Sequence, residues 1–174
     1  MLLTLKCMPL THPYAENPSY KDDIWSHIVI EVREENKVVD TVLDIQWDAV
    51  VLIEWILNNQ EYLISEEMPE DVLRRKSLAE SIAEFYEVMN PDKEEDDVAE
   101  QKLYSYRERH GLRFALRGVN INDIYIGVFN GVGSVSFYDQ DKVFNYFVRL
   151  DRFIRDAQIV YDNLIGAKRS RGSV

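Results

Sequence analysis

The chain has 174 residues, with 20 lysines and arginines set against 31 aspartates and glutamates, for a formal net charge of -11. Hydrophobic residues make up 46% and charged residues 29%, which excludes a disordered chain and supplies enough apolar surface for one core. Without Lys168, Arg169 and Arg171 the balance is 17 positive against 31 negative residues. A surface so negative repels phosphate backbones and anionic lipid, so neither nucleic acid nor membrane is an expected partner, whereas a basic protein is. The expected organisation is a single α+β domain over residues 1–166 followed by a basic flexible tail, residues 167–174.

Along the chain, Leu2–Lys6 reads as a short strand, and residues 9–23 hold Pro9, Pro13 and Pro18 with two tyrosines, an ordered loop. His27 to Arg33 alternates, with Ile28, Ile30 and Val32 on one face. After the polar turn Glu34-Glu-Asn-Lys37, Val39, Thr41, Leu43 and Ile45 alternate likewise, which predicts a β-hairpin. From Asp48 to Asn58 the apolar residues go nearly all round a helix, with Asp48 placed to cap it, so a central buried helix carrying Trp55 in the core is expected. The spacing of Leu73, Leu78, Ile82, Phe85 and Met89 predicts an amphipathic helix from about Glu70 to Met89, stopped before Pro91. A third helix is expected at about Val98 to Arg109, ended by Gly111. Five of the seven glycines lie between residues 111 and 133, among three short runs, Leu112–Arg117, Ile124–Phe129 and Ser134–Tyr138, that read as an antiparallel meander. A long helix from Asp141 to about Ile165 closes the order. Strands, helices, strands and helix with hairpin-length links predict an α+β fold, an antiparallel sheet with helices packed on one face.

No catalytic motif emerges. Arg109-His110-Gly111 matches the triplet that histidine phosphatases place after an early strand. Here it ends a helix, and no histidine follows to complete the pair. Gly131-Val-Gly133 follows a strand, but another strand comes next, so a hairpin turn explains it better than a dinucleotide-binding turn. His12, His27 and His110 are scattered, and no pair has the spacing of a helical zinc site; no metal and no cofactor are expected. Asp40, Asp44 and Asp48 fit a strand's solvent face and a helix cap better than a magnesium or acid-base cluster. The single cysteine, Cys7, cannot close an internal disulfide. The longest apolar stretch, Ala49 to Leu57, is broken by Glu54 and is well short of the roughly 20 residues that span a bilayer. With no signal-like start, a cytoplasmic protein is expected.

Two surfaces stand out as binding candidates. Asp92, Glu94, Glu95, Asp96, Asp97 and Glu100 form an acidic segment that could dock on a basic partner, or serve simply as a solvated loop feeding a helix whose first turn favours carboxylates. Arg113, Arg117, Tyr125, Ser134, Ser136 and Tyr138 would alternate outward on a polar sheet face, rich in the residue types that interfaces favour.

The run Leu112-Arg-Phe-Ala-Leu-Arg-Gly, with Asp123-Ile-Tyr-Ile-Gly, Ser136-Phe-Tyr, Trp47-Asp48 and Trp55, resembles small bacterial proteins whose composition is similar to that of immunity proteins from polymorphic and contact-dependent toxin systems. The resemblance implies a cytoplasmic, non-enzymatic inhibitor that covers or distorts the active site of one toxin domain. A small-molecule or peptide-binding module using the polar sheet face is the alternative expectation, followed by an enzyme whose site leaves no sequence motif.

Overall fold

A computed structural model describes residues 1–171. In chain order the elements are strand β1 (Leu2–Pro9), β2 (Trp25–Glu34), β3 (Lys37–Asp48), helices α1 (Ala49–Asn58), α2 (Gln60–Ser65), α3 (Leu78–Val88), α4 (Glu94–His110) and α5 (Leu112–Ala115), strands β4 (Ile124–Phe129), β5 (Val132–Asp139) and β6 (Lys142–Phe147), and helix α6 (Leu150–Arg171). The fold is α+β, as the element order predicts. It contains two three-stranded antiparallel sheets, ordered β1-β2-β3 and β4-β5-β6. They belong to two compact units. One comprises Met1–Asn58 with the stretch from Asp151 onward, and the other is the continuous segment Asn59–Leu150.

In the first unit, β2 pairs with β1 through Leu5↔Ile30 and Leu3↔Val32, and with β3 through Ile28↔Ile45 and Ile30↔Leu43. Leu3, Leu5, Ile28, Ile30, Val32 and Leu43 are buried, the branched side chains that a pleated half-buried surface accommodates best. Asp48 starts α1 as expected, its Oδ1 accepting from Val50 N at 3.0 Å. Ala49, Leu52, Ile53 and Ile56 form the buried stripe of α1, whereas Val51 is exposed and Trp55 only half-buried. Trp55 is therefore not a core residue: burial selects the i, i+3, i+4, i+7 stripe and leaves the remaining apolar positions of this helix nearer water. On α6, Phe153, Ala157 and Leu164 are buried. This helix continues beyond residue 166, and Lys168 Nζ donates to Asp22 O at 2.6 Å. Residues 172–174 of the expected basic tail lie outside the described residues.

The second unit has its own core, built around Met68, Leu78, Ile82, Leu103, Tyr106 and Phe129. Helices α2 and α4 pack on β4, and α3 packs on β5. Asn130 and Gly131, both at positive φ, make the β4–β5 turn expected at the glycines, an Asn-Gly pair suited to a two-residue hairpin. Three expectations are corrected here. Helix α3 starts at Leu78 rather than near Glu70, because Ser77 caps it, its Oγ accepting from Glu80 N at 3.1 Å. Leu112–Arg117 is not a strand: Leu112, Ala115 and Leu116 are buried at i, i+3, i+4, and Leu116 N donates to Leu112 O, so the run folds as the short helix α5. The helix expected from Asp141 begins only at Leu150, because Gln140 turns the chain at positive φ and residues 142–147 pair with β5, Phe144 opposite Phe137.

Candidate functional site

The acidic segment does not form a loop. Glu94, Glu95, Asp96 and Asp97 occupy the first turn of α4, where the helix dipole favours negative charge. Asp92, Glu94, Glu95 and Asp97 are exposed, and Asp96 and Glu100 are half-buried. Asp96 Oδ2 accepts from Asn90 N at 2.8 Å, which fixes the entry into the helix. Asp96 also borders a groove of about 220 Å³ whose apolar lining is Leu73, Phe85, Val88 and Met89. Leu73 and Val88 are 63% and 71% exposed, unusual for side chains of that size beside a formed core. Asp71 and Glu84 complete the groove's wall. Arg75 pairs with Glu84 and holds its carboxyl below the usual range, and Lys102 Nζ lies 2.5 Å from Asp71 Oδ2. The groove thus has an apolar lining, with Asp96 and two carboxylates paired to Arg75 and Lys102 at its edge.

The polar sheet face does not exist as expected. Arg113 and Arg117 are not on a strand: Arg113 is tied to Asp123 Oδ1 at 2.8 Å and to Ile121 O at 2.6 Å, and Arg117 lies 5.8 Å from the Phe114 ring. Tyr125, Ser134 and Ser136 are buried, and Tyr138 is half-buried against the core. Two of these hydroxyls find internal partners, whereas Ser134 Oγ is buried without one. Ser136 Oγ accepts from Ala79 N at 3.0 Å at the start of α3, and Tyr125 Oη accepts from Arg107 Nε at 3.3 Å. Helices cover the side of the sheet that alternation alone assigns to water.

His110 is fully buried, which explains its isolation better than any phosphatase role. Its ring stacks on Tyr106 at 3.9 Å, with Nδ1 2.9 Å from Ile126 O and Nε2 3.0 Å from Glu66 Oε2. Arg109 forks onto the same carboxylate at 2.8 and 2.5 Å. Burial by itself would raise the Glu66 carboxyl, but the hydrogen bonds from His110 and Arg109 outweigh it and bring it down to about 2. Tyr106 Oη is buried without a hydrogen-bond partner, and burial raises its phenol well above the ordinary value. Burial also pushes the Cys7 thiol up to about 12, so little reactive thiolate forms at neutral pH. Among the described residues, no group of three or more His, Cys, Asp or Glu side chains could hold a metal ion.

A further concavity lies in the first unit, where the loop of residues 9–23 meets the first hairpin. His12, Tyr14, Tyr20, Trp25 and Trp47 line a pocket of about 330 Å³, with Asp23 and Asp48 in its wall. The His12 ring stacks on Tyr20 at 4.7 Å and meets Trp25 edge-on at 4.9 Å, and the Trp25 and Trp47 rings are 5.7 Å apart. The loop is built to hold them. Leu10 N donates to Trp25 O, Asn17 N to Tyr14 O and Asp23 N to Tyr20 O, while Asn17 Oδ1 caps the turn at Pro18–Tyr20. Trp25 and Asp48 are register partners at the end of the β2–β3 ladder. Asp48 Oδ1 accepts from Ile24 N and Val50 N, and burial raises its carboxyl despite those two bonds. Tyr14 N donates to His12 Nδ1 at 2.9 Å, so the neutral ring carries its proton on Nε2, which faces Asp23 Oδ2 at 3.6 Å.

No protein-family model, curated protein or solved structure matches this chain. The chemistry of each site rests on its own geometry. The groove beside α4 offers apolar contact ringed by carboxylates, and the pocket of the first unit offers aromatic faces beside acidic groups. The only sequence signal for the pocket is density: His12, Tyr14, Tyr20 and Trp25 fall within a proline-bearing loop and the strand it leads into.

Proposed function

We propose that the protein is a binding protein, an immunity-type inhibitor that neutralises a basic toxin domain by covering its active site. The observation that carries this reading is the groove in which exposed Leu73 and Val88 are bordered by Asp71, Glu84 and Asp96, beside the carboxylates that open α4. Apolar contact supplies affinity and the surrounding negative charge supplies steering toward a positive surface. The net charge of -11 extends that steering to the encounter at long range.

The test is affinity capture from the native host, followed by co-expression with any toxin domain encoded beside the gene. Rescue of growth is the expected result. Absence of rescue by this chain from the toxin it captures overturns the inhibitor reading. With the partner in hand, replacing Glu94, Glu95, Asp96 and Asp97 by Gln or Asn lowers the association rate by about ten-fold at low salt and flattens its ionic-strength dependence, measured by surface plasmon resonance. A quadruple variant with both rates unchanged removes the acidic segment from the interface.

A further inference from the structure

We infer that the aromatic pocket of the first unit receives the guanidinium of an arginine side chain presented by the basic partner. The inference rests on the reading of a basic protein partner and adds the residue type that the pocket selects. Five aromatic rings line it, His12, Tyr14, Tyr20, Trp25 and Trp47, with His12 stacked on Tyr20. A volume of about 330 Å³ suits one head group and is at the small end of ligand pockets. Three of these rings cost the fold something to display: Tyr14 is 65% exposed, Tyr20 39%, and Trp25 only half-buried.

The carboxylates set the sign of the ligand. Asp48 Oδ1 is pinned by two backbone N–H groups, so the carboxyl stays in the wall. Asp23 is half-buried at the edge of the pocket, with Oδ2 beside His12 Nε2 at 3.6 Å, beyond a hydrogen bond and open to a stronger donor. The nearby cation of the chain itself, Lys168, is turned to Asp22 and does not fill the space. Among cations, the guanidinium fits best. It is planar and weakly hydrated, stacks on aromatic faces, and donates along its edge to a carboxylate, whereas a lysine ammonium holds its water more tightly and a quaternary ammonium has no N–H for Asp23.

The test uses the full chain with Trp55→Phe, which leaves Trp25 and Trp47 as the reporting fluorophores. The probes are acetyl-Gly-Arg-Gly-amide, its citrulline counterpart and tetramethylammonium chloride. The arginine peptide should change the emission saturably with a dissociation constant of about 1–10 mM, as expected for one stacked and paired side chain. The citrulline peptide, neutral but of the same shape, should be at least about ten-fold weaker. Tyr20→Leu and Asp23→Asn should each lose about ten-fold in affinity while Tyr20→Phe retains it, with circular dichroism showing the fold intact in all three. The inference is overturned if the arginine peptide gives no saturable change, if citrulline binds equally, or if tetramethylammonium binds and arginine does not. Because the peptide needs no partner, its binding and the capture of a toxin succeed or fail separately.

Discussion

Buried His110 lies with Nδ1 2.9 Å from the Ile126 carbonyl and Nε2 3.0 Å from the Glu66 carboxylate. Glu66, held at about 2, also pairs with Arg109. The sign of the pH effect follows. A carboxyl whose folded pKa is depressed contributes stability that is fully present above its unfolded value and is lost as pH falls through the folded one. Glu66→Gln should therefore cost about 1–2 kcal/mol near neutrality, a figure reduced for solvent screening of a partly exposed carboxylate. In urea unfolding the difference from wild type should shrink as pH falls from the ordinary carboxylate range, near 4.5, toward 2. A constant difference across that window would show that the loss is one of packing and not of charge. The same cluster dictates Gly127: a Cβ there would lie 2.5 Å from His110 Nδ1, so Gly127→Ala must displace the ring or the strand. A loss of about 1–3 kcal/mol in the denaturant midpoint is the expected outcome.

At the scale of elements, local chemistry decided where helices begin, and periodicity decided less. Helix α3 starts at Ser77 because its hydroxyl satisfies the Glu80 amide, although apolar spacing extends upstream to Leu73. Ser77 is buried, and its carbonyl also accepts from Ser81 Oγ at 2.7 Å. Ser77→Ala should destabilise by about 1 kcal/mol, read as a shift in thermal midpoint with α3 amides exchanging faster, because an orphan N–H is left inside the unit. The helix predicted at about Val98 to Arg109 forms one turn earlier, since four carboxylates are welcome at its positive end. Phe144 and Phe147, assigned by helical spacing to the last helix, lie instead in β6, where pairing with β5 puts them on opposite faces, Phe144 half-buried and Phe147 exposed.

At the scale of the whole molecule, the segment 59–150 is continuous in sequence and carries its own sheet and core. Expressed alone, residues 59–150 should unfold cooperatively in urea and retain near-ultraviolet circular dichroism from their tyrosines, being above the size at which a single core fails. A broad transition without a near-ultraviolet signal would mean that this core forms only in the full chain. Among the described residues, no helix is long and apolar enough to cross a membrane.

The sequence by itself determined the α+β class, the first hairpin, the Asp48 cap and a hairpin turn at Gly131, because each depends on residues close together in the chain. Only the tertiary structure decided which faces stay wet. Tyr125, Ser134 and Ser136 alternate as a solvent face should, yet they are buried; helices supply Arg107 Nε to Tyr125 and Ala79 N to Ser136, partners that no strand period encodes. Glu66 and His110 meet at hydrogen-bond distance across a separation of 44 residues. Likewise, the aromatic pocket exists because the hairpin register sets Trp25 against Asp48 and Ser26 against Trp47 while the proline-bearing loop folds back beside them. Local spacing encodes which residues are aromatic or charged, and the non-local pairing of strands decides which of them share a cavity.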